Sequence, residues 1–213
     1  EKGPNDAVAT LEAVDRALAD FLDSRGGMEA ALEDLAILIT GDHSQSDTLE
    51  DASERKIELS ELLKEYRQVP AGQDWKDEDQ LMICPNMRAA QIYFSLDSPL
   101  GSRQEVAEIL VRDSRVDQVI WQESHESVSE HDRFCVKTAN RGFLRFYRTE
   151  AGPESLVDRY DNHWICEGDL SAVDLSADDQ NRIQEGDYPN ALERIAGGFH
   201  EVSGALWVTA HVG

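Results

Sequence analysis

Lysine is nearly missing from these 213 residues: 5 Lys stand beside 15 Arg, and the 20 cations together face 43 acids. A net charge of −23 repels phosphate backbones, so no nucleic-acid partner is expected. Cysteine is scarce as well. Cys84, Cys135 and Cys166 have no CxxC spacing, which argues against a thiolate zinc site and for a reducing compartment, so a cytoplasmic location is expected. No apolar run approaches the roughly 20 residues of a membrane helix. The longest, Leu35-Ala36-Ile37-Leu38-Ile39, is strand-sized, and no membrane partner is expected. The opening Glu1-Lys2-Gly3-Pro4 is charged and turn-like, unlike a signal peptide, and lacks Met, which fits a processed chain or a fragment.

What is present describes a globular protein. The hydrophobic fraction is 40%, with four Trp, six Phe and five Tyr, enough for a full core in one domain or one domain with a smaller lobe. An Arg-rich, Lys-poor acidic surface suits a cytoplasm of high ionic strength, where screening removes self-repulsion. It resembles the surface of halophilic proteins, although an ordinary acidic bacterial protein has a similar balance.

Along the chain, Val8, Leu11, Val14, Leu18, Phe21 and Leu22 recur at helical spacing, with Asn5 or Asp6 as the cap and Gly26-Gly27 as the stop. A short helix, 28–34, then feeds the run 35–40. That run is apolar throughout, as in a strand covered on both faces. Helix, buried strand and polar loop are the grammar of a doubly wound α/β sheet. A second helix is expected around 54–66, with Ile57, Leu62, Leu63 and Tyr66 inward. Residues 1–67 are thus expected to be one part of an α/β core, 68–79 a polar linker, 80–185 a smaller α+β lobe or insertion and 186–213 a return to the core. Within the lobe, strands are expected at 81–84, 88–95 and 116–122, with a helix at 103–112. The strands 134–138 and 143–147 form a hairpin around Asn140-Arg141-Gly142. A helix near 191–199 and a strand at 205–210 close the sequence, and no internal repeat is evident.

Asp42-His43 follows the expected buried strand, at the end where ligands gather in open α/β sheets. A carboxylate beside an imidazole is a donor set that suits zinc or manganese. In a chain this acidic, the same pair also arises by chance as loop polar residues. Ile37-Leu38-Ile39-Thr40-Gly41-Asp42-His43-Ser44-Gln45-Ser46 resembles the strand-loop motif of the alkaline phosphatase superfamily, in particular its type I phosphodiesterase/nucleotide pyrophosphatase branch. The segment Gly3-Pro4 with Ala13 to Leu18 resembles a family helix. Asp187-Tyr188-Pro189-Asn190-Ala191 and Leu206-Trp207-Val208-Thr209-Ala210 resemble the tail of microbial members. Position 44 departs from the family, with Ser in place of the usual Gly.

The resemblance implies a partial alkaline-phosphatase-like sheet and a hydrolase of small phosphate esters. In such an enzyme Asp42 and His43 hold one of two metal ions, zinc first and manganese second. It also implies that much of the site lies elsewhere. The family nucleophile, its first Asp ligand and its Asp-x-x-x-His pair would precede Glu1, and its last His would follow Gly213. Two protein donors hold zinc weakly, since catalytic sites normally supply three, so this chain alone is expected to be nearly inactive. An incomplete parallel sheet would leave exposed edges, which favours homo-oligomers. Two alternatives stand beside this reading. One is a sulfatase or phosphonate hydrolase of the same superfamily, and the other is a non-catalytic acidic α/β interaction protein.

Other residues carry less. His125 and His131, with Glu123, Glu126 and Glu130, are either a solvated acidic loop or a surface metal site. Asp158, Asp161 and His163 read as a solvated turn, and Cys166 beside Trp164 reads as core. Arg141, Arg145 and Arg148, interleaved with Phe143, Phe146 and Tyr147, are expected to pair with the acidic surface. Ser44 and Ser46 lack a nucleophile-elbow context.

Overall fold

The computed structural model describes residues 7–40, 49–51, 54–95, 102–123 and 132–211. The chain divides into two compact units, 1–55 with 212–213, and 56–211.

In the first unit, α1 (Val8–Ser24) and α2 (Met28–Asp34) follow the apolar spacing. Gly26 and Gly27 have φ of 90° and 96°, and the Gly27 amide donates to the Leu22 carbonyl, a left-handed stop that glycine adopts without strain. Leu22 and Ala31 are buried, but the rest of the α1 stripe is not: Leu11 is 67% exposed and Val14 62%. The run 35–40 differs from expectation in the same way. It forms no ladder among the described residues, and Leu38 and Ile39 are 88% and 79% exposed. A continuous apolar run becomes a covered strand only when neighbouring strands take its amides and carbonyls. Among the described residues, every sheet strand belongs to the second unit.

The second unit is α/β, with one large mixed sheet and few helices. Its elements in chain order are α3 (Leu59–Leu62), β1 (Gln68–Val69), β2 (Leu81–Asn86), β3 (Ala89–Phe94), α4 (Ser102–Leu110) and β4 (Val116–Glu123). Then come β5 (Arg133–Lys137), β6 (Phe143–Thr149), β7 (Leu156–Val157), β8 (His163–Gly168), β9 (Leu175–Ala177), β10 (Ile183–Glu185), α5 (Ala191–Gly198) and β11 (Leu206–Ala210). Among the described residues, nine strands form one sheet in the order β1-β2-β3-β11-β4-β5-β6-β8-β7, while β9 and β10 pair separately. The β1·β2 ladder is parallel. The other ladders of the large sheet are antiparallel.

Alternation along the central strands sends side chains to two cores. Val119, Trp121 and Cys135 join Leu63, Leu81, Ile92, Val106, Leu110 and Leu206 on the face that carries α4. Ile120, Phe134 and Val136 join Leu144, Phe146, Trp164, Val173 and Leu192 on the other. With both faces covered, β4 is buried from Val116 through Trp121. Fully burying a side chain such as Phe146 contributes about 2–3 kcal/mol relative to exposure.

The helix expected over 54–66 is a single turn. Gln68 Nε2 donates to the carbonyls of Ser60 and Leu63, at 2.9 and 2.8 Å, and so caps the turn where a longer helix would have continued. Its apolar residues still point as expected, with Leu63 buried and Ile57, Leu62 and Tyr66 packed against the core.

Candidate functional site

The expected metal ligands Asp42 and His43 lie outside the described residues, as do Ser44, Ser46, His125, Glu126, Glu130 and His131. Among the described residues, no group of three or more His, Cys, Asp or Glu is gathered so as to hold a metal ion. Glu123, expected in the acidic loop, instead accepts from Arg145 Nη2 at 2.7 Å.

The described residues do assemble a buried polar cluster around Asp117. Thr209 pairs with Gln118, but Ala210 pairs with Val116, so Asp117 is the extra residue of a β-bulge where β4 meets β11. The bulge breaks the alternation. Val116 faces the α4 side, while Asp117 and Gln118 both reach partners of the opposite side. Asp117 is only 5% exposed, so its charge requires donors. Arg141 Nη2 donates to Oδ1 at 2.7 Å and Tyr188 Oη to Oδ2 at 2.7 Å, and His211 Nδ1 lies 3.5 Å from Oδ1. Arg141 also stacks over the Tyr188 ring, 5.7 Å from its centroid. Burial, reinforced by the bond to Asp117, pushes the Tyr188 phenol up to about 12. It therefore serves as a fixed donor. With both carboxylate oxygens engaged and the phenol held protonated, the cluster is a clasp joining β4, the β5–β6 turn, the segment before α5 and the end of β11.

Asp158, read from sequence as part of a solvated turn, is buried. Its Oδ1 accepts from the amides of Tyr160 and Asn162 at 2.8 and 2.9 Å, and its Oδ2 from Asn162 Nδ2 and Trp164 Nε1 at 2.9 and 3.0 Å. Burial alone would raise this carboxyl, but the donors from Trp164, Asn162 and Tyr160 outweigh it and hold the group below the usual carboxylate range. The arrangement recurs at Asp178. There Oδ1 accepts from the amides of Gln180 and Arg182 and Oδ2 from Gln184 Nε2. Asp161 and Asn181 occupy the same left-handed position, with φ of 61° and 58°. The two turns are a local repeat that the sequence alone did not suggest.

His163 lies on β8, and its Nδ1 is 3.0 Å from Ser155 Oγ. The hydroxyl already donates to the Gly152 carbonyl at 2.8 Å, which leaves Oγ as acceptor and assigns the Nδ1 hydrogen to His163. Ser155 is buried inside its own turn, so this pair orients a ring and does not activate a nucleophile.

All three arginines pair with acids, Arg145 and Arg148 on the acidic surface as expected and Arg141 with a buried carboxylate instead. Arg141 takes Asp117, Arg145 takes Glu123 and Glu167, and Arg148 takes Glu193 while donating to Asn162. Cys166 packs against the core that holds Trp164, and burial pushes its thiol up to about 12.

Neither Asp117 nor Asp158 was singled out as a buried centre by sequence reasoning. The available signals were slight: Asp117-Gln118 separates Val116 from the apolar run Val119-Ile120-Trp121, and Asp158 leads an Asp-rich turn into Trp164. No protein-family model, curated protein or solved structure matches this chain.

Proposed function

We propose that the chain is part of a metal-dependent hydrolase of small phosphate esters, of the phosphodiesterase/nucleotide pyrophosphatase type. The supporting observation is the sequence Ile37 to Ser46, an apolar run leading into Thr-Gly-Asp-His. In this reading Asp42 and His43 belong to a doubly wound, alkaline-phosphatase-like core and are two ligands of one ion. Zinc fits one oxygen and one nitrogen donor best, and manganese is second. Two donors of the right kind are still fewer than the three that hold a catalytic zinc, so the remaining ligands and the hydroxyl nucleophile would come from residues outside this chain. The metal, once bound, would supply charge stabilisation at the transferred phosphoryl group. The strongly acidic surface fits work in a cytoplasm of high ionic strength.

The test is hydrolysis of bis-p-nitrophenyl phosphate in high salt, with and without zinc or manganese, paired with thermal unfolding under the same conditions. The proposal expects little hydrolysis by this chain alone. It also expects a zinc-dependent rise in melting temperature that disappears in Asp42→Ala and in His43→Ala. An unchanged zinc response in both variants would overturn it.

A second reading, a non-catalytic acidic interaction protein, is favoured by one observation: the apolar stripe of α1 is exposed at Val8, Leu11, Val14 and Phe21. Zinc has no specific effect on that protein, whereas Leu11→Glu with Val14→Glu weakens its capture of a partner while leaving its fold intact.

A further inference from the structure

We draw no further inference here: the strongest candidate, the exposed apolar face of α1 formed by Leu11, Val14 and Phe21, carries nothing because nothing in the structure shows what covers it.

Discussion

The indole N–H of Trp164 is spent on Asp158: Nε1 donates to Oδ2 at 3.0 Å from a ring that is fully buried. Asp158→Ala would remove the acceptor for Trp164, for Asn162 and for the Tyr160 amide, leaving buried donors unpaired. The expected cost is about 3 kcal/mol, since each bond to a charged group contributes roughly 1.5–3 kcal/mol and part of the turn can rehydrate. Urea unfolding of the variant measures it. Asp178→Ala breaks the sister turn, where the donors reach water, and should cost clearly less.

Acid should act through the same group. The folded Asp158 carboxyl lies below its unfolded value of about 3.9. The stability it contributes is therefore complete above that value and is lost as pH falls through the folded one. Below about pH 4 the unfolding free energy should decline more steeply in the parent chain than in Asp158→Asn. Parallel slopes in the two proteins would contradict this.

Alkali should strike the clasp at Tyr188. Its phenol is pushed up to about 12, whereas an unfolded tyrosine titrates near 10. The contribution is intact below about pH 10 and is lost as pH rises towards 12, where a phenolate would face the Asp117 carboxylate. Absorbance at tyrosinate wavelengths should show a late-ionising component near pH 12 that is lost in Tyr188→Phe. That variant should also be less stable by about 1–2 kcal/mol at neutral pH, because Asp117 loses a buried donor.

Gly168 allows no side chain. Its φ is 105°, and a Cβ there would sit 2.3 Å from the Phe143 carbonyl oxygen. That oxygen cannot retreat freely, because it accepts the Asp169 amide at 2.8 Å. Gly168→Ala should destabilise the fold by about 2–4 kcal/mol, combining positive-φ strain with a backbone clash. Differential scanning calorimetry would show the loss as a lowered melting temperature.

Salt should stabilise the chain. At −23, exposed carboxylates repel one another over roughly 10 Å at 0.1 M salt and only about 3 Å at 1 M. The urea midpoint is expected to climb across that range. The largest part of the climb should come from screening of unpaired acids, because pairs such as Arg145–Glu123 are partly shielded already.

Much of the second unit was legible because its signals are local. The strands at 81–86, 116–123, 133–137 and 143–149, the helix after 102 and the final strand lie within a few residues of where alternation, turn residues and helical spacing put them. The run 35–40 departs from expectation for a definite reason. A five-residue apolar stretch contains no period, so its burial depends on neighbours that the sequence does not name. The 54–66 segment had the correct inward residues and the wrong length, since the side chain that ends the turn, Gln68, lies beyond the segment itself. Asp117 was hidden for the opposite reason. Its partners Arg141, Tyr188 and His211 are brought together only by the fold, and a bulge leaves no mark in composition.

The position of β11 has a consequence for how the chain comes into being. This strand is the last in chain order, yet it lies between β3 and β4. Until it arrives, β3 and β4 each present an unpaired edge, and the two halves of the sheet have no ladder between them. A nascent or prematurely terminated chain would therefore display two sticky margins instead of one finished sheet. Closure also waits on contacts far apart in sequence, which slows folding. A chain cut short before Leu206 is expected to accumulate in aggregates, even though almost all of its strands have already been made.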